Sequence, residues 1–220
     1  MGTLINGING PIKGKVGTVH GSSRYGKPYI KGPHKKRTTK VKAKEKQNRT
    51  KFSAAQYWLK PITDYVRQGF NGFTYKESSQ GFVAAKSHLL MNAFEGTGDQ
   101  RVINPALAMV SYGSLPLADH IKVEKLDDQT IKFSWENIWK EGMNAYDQAM
   151  LLAYDIENED ACMKITGQFR QSGEDVLQVH YPLVRNQQEK KEVTFHCYFA
   201  FVAADRSSQS DSIYLGEITF

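Results

Sequence analysis

Along this chain the hydrophobic positions change rhythm twice, and each change marks a different kind of structure. Between residues 1 and 34 the apolar residues come in short β-branched pieces, "TLING", "KVGTVH" and "KPYIKG", separated by Gly7, Gly10, Gly14, Gly17, Gly21, Gly26, Gly32 and three prolines. Each piece reads as a strand too short to be stable alone. From residue 52 the period lengthens: Phe52, Ala55, Trp58, Leu59, Ile62, Tyr65 and Val66 recur at three- and four-residue spacing. That spacing predicts an amphipathic helix, with Pro61 kinking it or starting a second one. A further helix is predicted over "SQGFVAAKSHLLMNAF", with Phe82, Ala85, Leu89, Leu90 and Ala93 on one face and Gly96 as its stop signal.

Beyond about residue 103 the pattern turns to strands. "HIKVEKL" and "TIKFSW" alternate, with Ile131, Phe133 and Trp135 on one face, whereas "QAMLLAY" is apolar on both faces, as a covered central strand would be. "CMKITGQF", "EDVLQVHYP", "EVTFHCYFAFVAA" and "SIYLGEITF" follow, joined by polar connectors such as "IENED", "RQSGED" and "RNQQEKK". Six to eight short strands over this length predict an immunoglobulin- or fibronectin-like antiparallel sandwich, with Trp135 resembling its core tryptophan. The expected fold is α+β: a glycine-rich basic arm at 1–50, a helical segment at 51–100 and a β-sandwich at 103–220.

Charge sharpens this division. Of 29 Lys+Arg, 15 lie in residues 1–60 against the single acid Glu45, so the rest of the 220-residue chain is net negative. Such asymmetry points to a polyanion-binding arm on an acidic body, or to an arm that binds the body of another copy. The basic residues singled out are Lys13, Lys15, Arg24, Lys27, Lys31, Lys35, Lys36, Arg37, Lys40, Lys42, Lys44, Lys46, Arg49 and Lys51. Nine of them fall in "HKKRTTKVKAKEKQNRTK", where like charges repel unless something compensates them. Three readings stay open for this run: a solvated arm, a phosphate backbone, or an acidic protein surface. Tyr25, Tyr29 and Trp58 are interleaved aromatics suited to stacking on bases, although Trp58 also fits the helix core.

Candidate chemistry is thin. "GSSRYGKP" comes within one residue of the phosphate loop G-x-x-x-x-G-K-[ST], but Pro28 occupies the hydroxyl position and no helix can open after Lys27. A glycine-rich turn between two short strands is the better reading. The six histidines form no H-x-x-x-H or H-E-x-x-H, and His196 and Cys197 are adjacent on a strand, facing opposite ways. The acids of "YDIENEDA" read as a solvated hairpin loop, and no serine sits in G-x-S-x-G. Cys162 and Cys197 make no disulfide framework and read as two thiols of a reducing compartment. The expectation is a non-enzymatic chain with neither cofactor nor metal. "MGTLINGINGPIKG" holds no apolar stretch for a signal peptide or membrane span, and Asn6 breaks the myristoylation pattern. A cytoplasmic start is expected, without membrane insertion, and with incorporation into a particle or extracellular assembly by a signal-independent route.

The order of "INGINGPIKGKVGTVHGSSRYGKPYIKG", the basic linker, "NRTKFSAAQYWLKPI", "TIKFSW", "YDQAMLLAYD", "YFAFVAAD" and "SDSIYLG" resembles an uncharacterised Bacteroidota family of about 200–220 residues, with GKVG and FSW as its most recognisable pieces. The first third is also similar to phage-associated structural proteins with a "G-x-V-G … S-R-x-x-Y-G" opening and a basic arm. These features together give two expectations. The first is a non-enzymatic structural protein that self-assembles with copies of itself into an oligomer, filament or virion-like coat through its extended N-terminal arm and β-sandwich, its basic arm contacting nucleic acid. The second is a monomeric or dimeric DNA- or RNA-binding module whose arm folds on its target.

Overall fold

The computed structural model describes residues 2–220 apart from 5, 8, 9, 25, 34, 35, 37, 73–79, 97, 99, 100 and 181–191. The chain is α+β and divides into two compact units, Met1–Ala43 and Lys44–Phe220.

The larger unit is built on seven strands: β7 (Asp119–Asp127), β8 (Thr130–Glu136), β9 (Gln148–Asp155), β10 (Asp160–Lys164), β11 (Glu174–Gln178), β12 (Thr194–Val202) and β13 (Ile213–Thr219). They pair antiparallel in two sheets, ordered β11-β8-β7 and β10-β9-β12-β13. Three strands face four in an immunoglobulin/fibronectin-type sandwich. Alternation places Ile131, Phe133, Trp135 and Leu177 of one sheet against Ala149, Leu151, Phe195, Phe199 and Phe201 of the other. Trp135 sits at the centre, 5.2 Å from Phe199 and 5.6 Å from Phe201 between ring centroids. The outer face of the three-stranded sheet is polar, and Lys132 meets Glu174 there at 2.6 Å.

The four-stranded sheet is covered on its other face as well, which explains why β9 is apolar throughout. Met150, Leu152, Tyr154, Tyr198, Ala200 and Val202 pack against α1 (Ala43–Leu59), α2 (Thr63–Gly69) and α3 (Gln80–Asn92). A third layer therefore lies on the sandwich. The expected break between helices falls at Lys60–Ile62, around Pro61, where the Thr63 hydroxyl donates to the Lys60 carbonyl at 2.6 Å. Tyrosine hydroxyls join the layers: Tyr65 donates to the Met150 carbonyl at 3.0 Å and Tyr154 to the Trp58 carbonyl at 2.7 Å. Burial of these rings satisfies apolar body and polar tip together. Two short strands, β5 (Phe94–Glu95) and β6 (Val102–Ile103), pair beside α3.

Both cysteines are free thiols. Cys162 and Cys197 flank Ala153 from opposite sides of β9, so their Cα atoms are about 9.5 Å apart, beyond disulfide reach. The "IENED" connector is a hairpin turn, and the carboxylate of Asp155 at the end of β9 accepts the Asn158 backbone N–H at 3.1 Å. The "RNQQEKK" connector lies outside the described residues.

Two imidazoles of this unit tie its stability to pH. Burial pushes both His88 and His196 below the ordinary value of 6.5, while Asp211 near His88 and Glu217 and Asp155 near His196 pull the other way. Below about pH 6.5 the unfolded chain then binds more protons than the native one, so stability is complete above that pH and declines as pH falls toward the folded values. The melting temperature should drop between about pH 7.5 and about pH 5.5, and His88→Gln/His196→Gln should flatten that slope. An unchanged slope in the double variant would remove these histidines as the cause.

Candidate nucleic-acid interface

The described residues of the first unit form four strands: β1 (Thr3–Leu4), β2 (Ile12–Val16), β3 (Val19–Arg24) and β4 (Lys27–Lys31), in the order β1-β2-β3-β4. The glycine-rich segment is thus a meander of its own strands rather than an extended arm. Two-residue turns explain it: Val16 pairs with Val19 across Gly17-Thr18, and Arg24 pairs with Lys27 across residues 25–26. Gly17 and Gly26 take φ of 56° and 72°, the left-handed conformation that tight hairpin turns require. "GSSRYGKP" is therefore a β-hairpin, with no helix after Lys27 to receive a phosphate.

Register then sorts the side chains. Directly opposed residues of an antiparallel pair share a face, and alternate residues along a strand do too. Gly14 is opposite Gly21, which is opposite Ile30; Val16 is opposite Val19. These residues, with Ser23 and Pro28, form an uncharged face. Onto it folds the start of β2, because a Cβ on Gly21 would fall inside the carbonyl of Ile12 and the side chain of Val16 lies against Gly2. Only a glycine permits that approach.

The opposite face is cationic. Lys15, His20 and Lys31 form one row across three strands, Ser22 lies opposite Tyr29, and Arg24 lies opposite Lys27. All except the half-buried Ser22 are exposed, Tyr29 at 43%. No acid precedes Glu45 in the chain. Like charges set directly opposite destabilise a sheet, which makes an external anion the natural complement of this face.

The remaining predicted bases are placed differently. Lys13 pairs with Thr3 on the other half of β2, and Lys36, Lys40 and Lys42 lie exposed between β4 and α1. Lys35 and Arg37, like Tyr25, lie outside the described residues. Lys44 and Lys46 are exposed on the first turns of α1, which begins inside the basic run because "AKEKQ" is good helix-forming sequence. Arg49 pairs with Glu45 at 2.6 Å, and Lys51 donates to the Leu90 carbonyl at 2.5 Å, tying α1 to α3. Trp58 is buried edge-on to Tyr154, 5.1 Å between centroids, and offers no stacking surface.

One family covers nearly the whole chain: the "Family of unknown function (DUF6266)" matches residues 11–216. The chain belongs to this family. The DUF6266 match begins just ahead of β2 and runs through most of β13, so it takes in the basic sheet, the helices and the sandwich together. No curated protein and no solved structure matches the chain. Sequence reasoning missed His20 as a site residue; the signal was the Gly17-Thr18 turn, which sets it opposite Lys15. Among the described residues, no group of three or more His, Cys, Asp or Glu is placed to hold a metal ion. No helix among them is long and apolar enough to cross a membrane.

Proposed function

We propose that this DUF6266 protein is a non-enzymatic structural component that self-assembles through its N-terminal sheet and contacts nucleic acid with the basic residues there. The observation that supports the reading is the near absence of a core in that sheet. Gly21 is its one buried residue among those described, while Leu4, Val16, Tyr29 and Ile30 are exposed. A small sheet needs a covered apolar face to be stable, and a second copy supplies such a cover through the unpaired edges or the uncharged face. The sandwich offers less, since helices cover one outer face and charged pairs line the other.

Light scattering of nuclease-treated protein between about 0.1 and about 1 M salt tests this. Species larger than a monomer are expected, with Ile30→Glu reducing them toward a single copy. A monomer at every salt concentration refutes assembly. A small species with a high 260/280 nm ratio before nuclease treatment, and none after, instead supports the second reading, a monomeric or dimeric nucleic-acid-binding module. The basic side chains that share one face of β2, β3 and β4 are what favour that alternative.

A further inference from the structure

We infer that the ligand of the cationic face is single-stranded nucleic acid, held by Lys15, His20, Arg24, Lys27 and Lys31 around a base-stacking platform at Tyr29. The inference rests on the nucleic-acid part of the proposed function and gives it a place and a ligand class. It is independent of whether the chain assembles.

Three features select this ligand. Lys15, Lys27 and Lys31 put charge of one sign on one face, and no acid occurs in the sequence before Glu45. Their spacing suits a phosphate chain: neighbouring strands lie about 4.8 Å apart, so Lys15 to Lys31 spans about 10 Å across the sheet, and Lys27 to Lys31 spans about 13 Å along β4. Tyr29 stands between Lys27 and Lys31 on the same face, with the small Ser22 opposite and its ring exposed. An exposed aromatic ring on a basic sheet stacks on an unpaired base, and sequence scarcely matters because every base has a π-face. A duplex has no free base to offer it. An anionic membrane would require apolar side chains beside the bases, and here Val16, Val19 and Ile30 belong to the reverse face. An acidic protein surface would neutralise the lysines but gives the ring between them no role.

The test is fluorescence anisotropy of the full, nuclease-treated chain with a labelled oligo(dT) and a labelled oligo(U), over a salt series. Binding should weaken steeply with salt. Lys15→Gln/Lys31→Gln should lower the magnitude of the log–log salt slope by about 1.4, since each phosphate contact on a single strand contributes about 0.7. Tyr29→Ala should weaken binding about tenfold and leave the slope unchanged, whereas Tyr29→Phe should retain affinity. The control Lys40→Gln/Lys42→Gln removes the same charge from the linker and should change affinity less than Lys15→Gln/Lys31→Gln. All these side chains are exposed, and circular dichroism of each variant checks the fold. The inference fails if neither oligonucleotide binds, or if a duplex of equal length binds as tightly. It fails equally if Tyr29→Ala binds like wild type, or if only phosphatidylserine vesicles are bound. A monomeric chain that still binds oligo(dT) in the expected pattern would refute assembly and leave this inference standing.

Discussion

Asp147→Ala should lower the melting temperature by on the order of 10 °C, one of the two largest effects expected of any single substitution in the chain. Asp147 and Arg170 are 1% and 3% exposed, and the guanidinium Nε donates to the carboxylate at 3.2 Å. Two further contacts hold the guanidinium, while its Nη1 is buried with no hydrogen-bond partner among the described residues. Its Nη2 donates to the Pro116 carbonyl at 2.7 Å and its Cζ lies 3.7 Å from the Phe201 ring centroid. The backbone carbonyl of Arg170 in turn accepts the Trp135 indole N–H at 2.8 Å. Removing the carboxylate leaves a positive charge buried without its counter-charge, which costs about 3–5 kcal/mol. That penalty belongs to the orphaned charge, so Asp147→Ala/Arg170→Met should recover much of the loss. Thermal melts of both variants measure it. Asp147→Ala melting within 1–2 °C of wild type, or a double variant no better than the single, would contradict the assignment.

The sandwich was legible because its signal is local. Ile131, Phe133 and Trp135 alternate within six residues, and each of the seven expected strands is present at its expected place. "QAMLLAY" even announced a strand covered on both faces. What covers it was not legible, because a helical period identifies an apolar stripe but not the surface it meets. Phe52 illustrates the gap. It continues the stripe of Ala55 and Leu59, yet it is 50% exposed, with the Lys86 ammonium 4.2 Å from its ring centroid. The start of α1 was hidden for a different reason. Charge marked residues 43–50 as linker, whereas their backbone propensity made them helix.

The candidate site was half legible. Its lysines stood out by charge alone, and Tyr29 by its interleaving, but the face they share is a property of register. A shift of one residue in the β3–β4 pairing would send Lys27, Tyr29 and Lys31 to the opposite side. The two-residue turns closed by Gly17 and Gly26 fix that register, so a cationic face emerges from a segment whose composition showed only glycine and charge. Among the described bases of the linker and of α1 there is no comparable arrangement, and Arg49 and Lys51 already have partners within the helical layer.

The helical layer is also where the second large effect is expected. Tyr65 of α2 is fully buried against the outer face of β9, among the largest side chains so placed. Tyr65→Ala should cost about 3–5 kcal/mol, because a ring-sized cavity opens between two layers that cannot close up independently. Tyr65→Phe keeps the ring and loses only the bond to the Met150 carbonyl, a difference of about 1 kcal/mol. The contrast separates packing from hydrogen bonding. It also decides whether α1–α3 belong to the cooperative unit of the sandwich. Without them, Met150, Leu152, Tyr154, Tyr198, Ala200 and Val202 would form a continuous apolar surface open to water, of the kind that leads soluble chains to aggregate. A single melting transition for Tyr65→Ala, shifted down and coincident by far-ultraviolet circular dichroism and tryptophan fluorescence, is therefore expected. Two separated transitions, with the helices lost first and the sandwich intact, would show that the sandwich stands alone and that its four-stranded face can be uncovered for a partner.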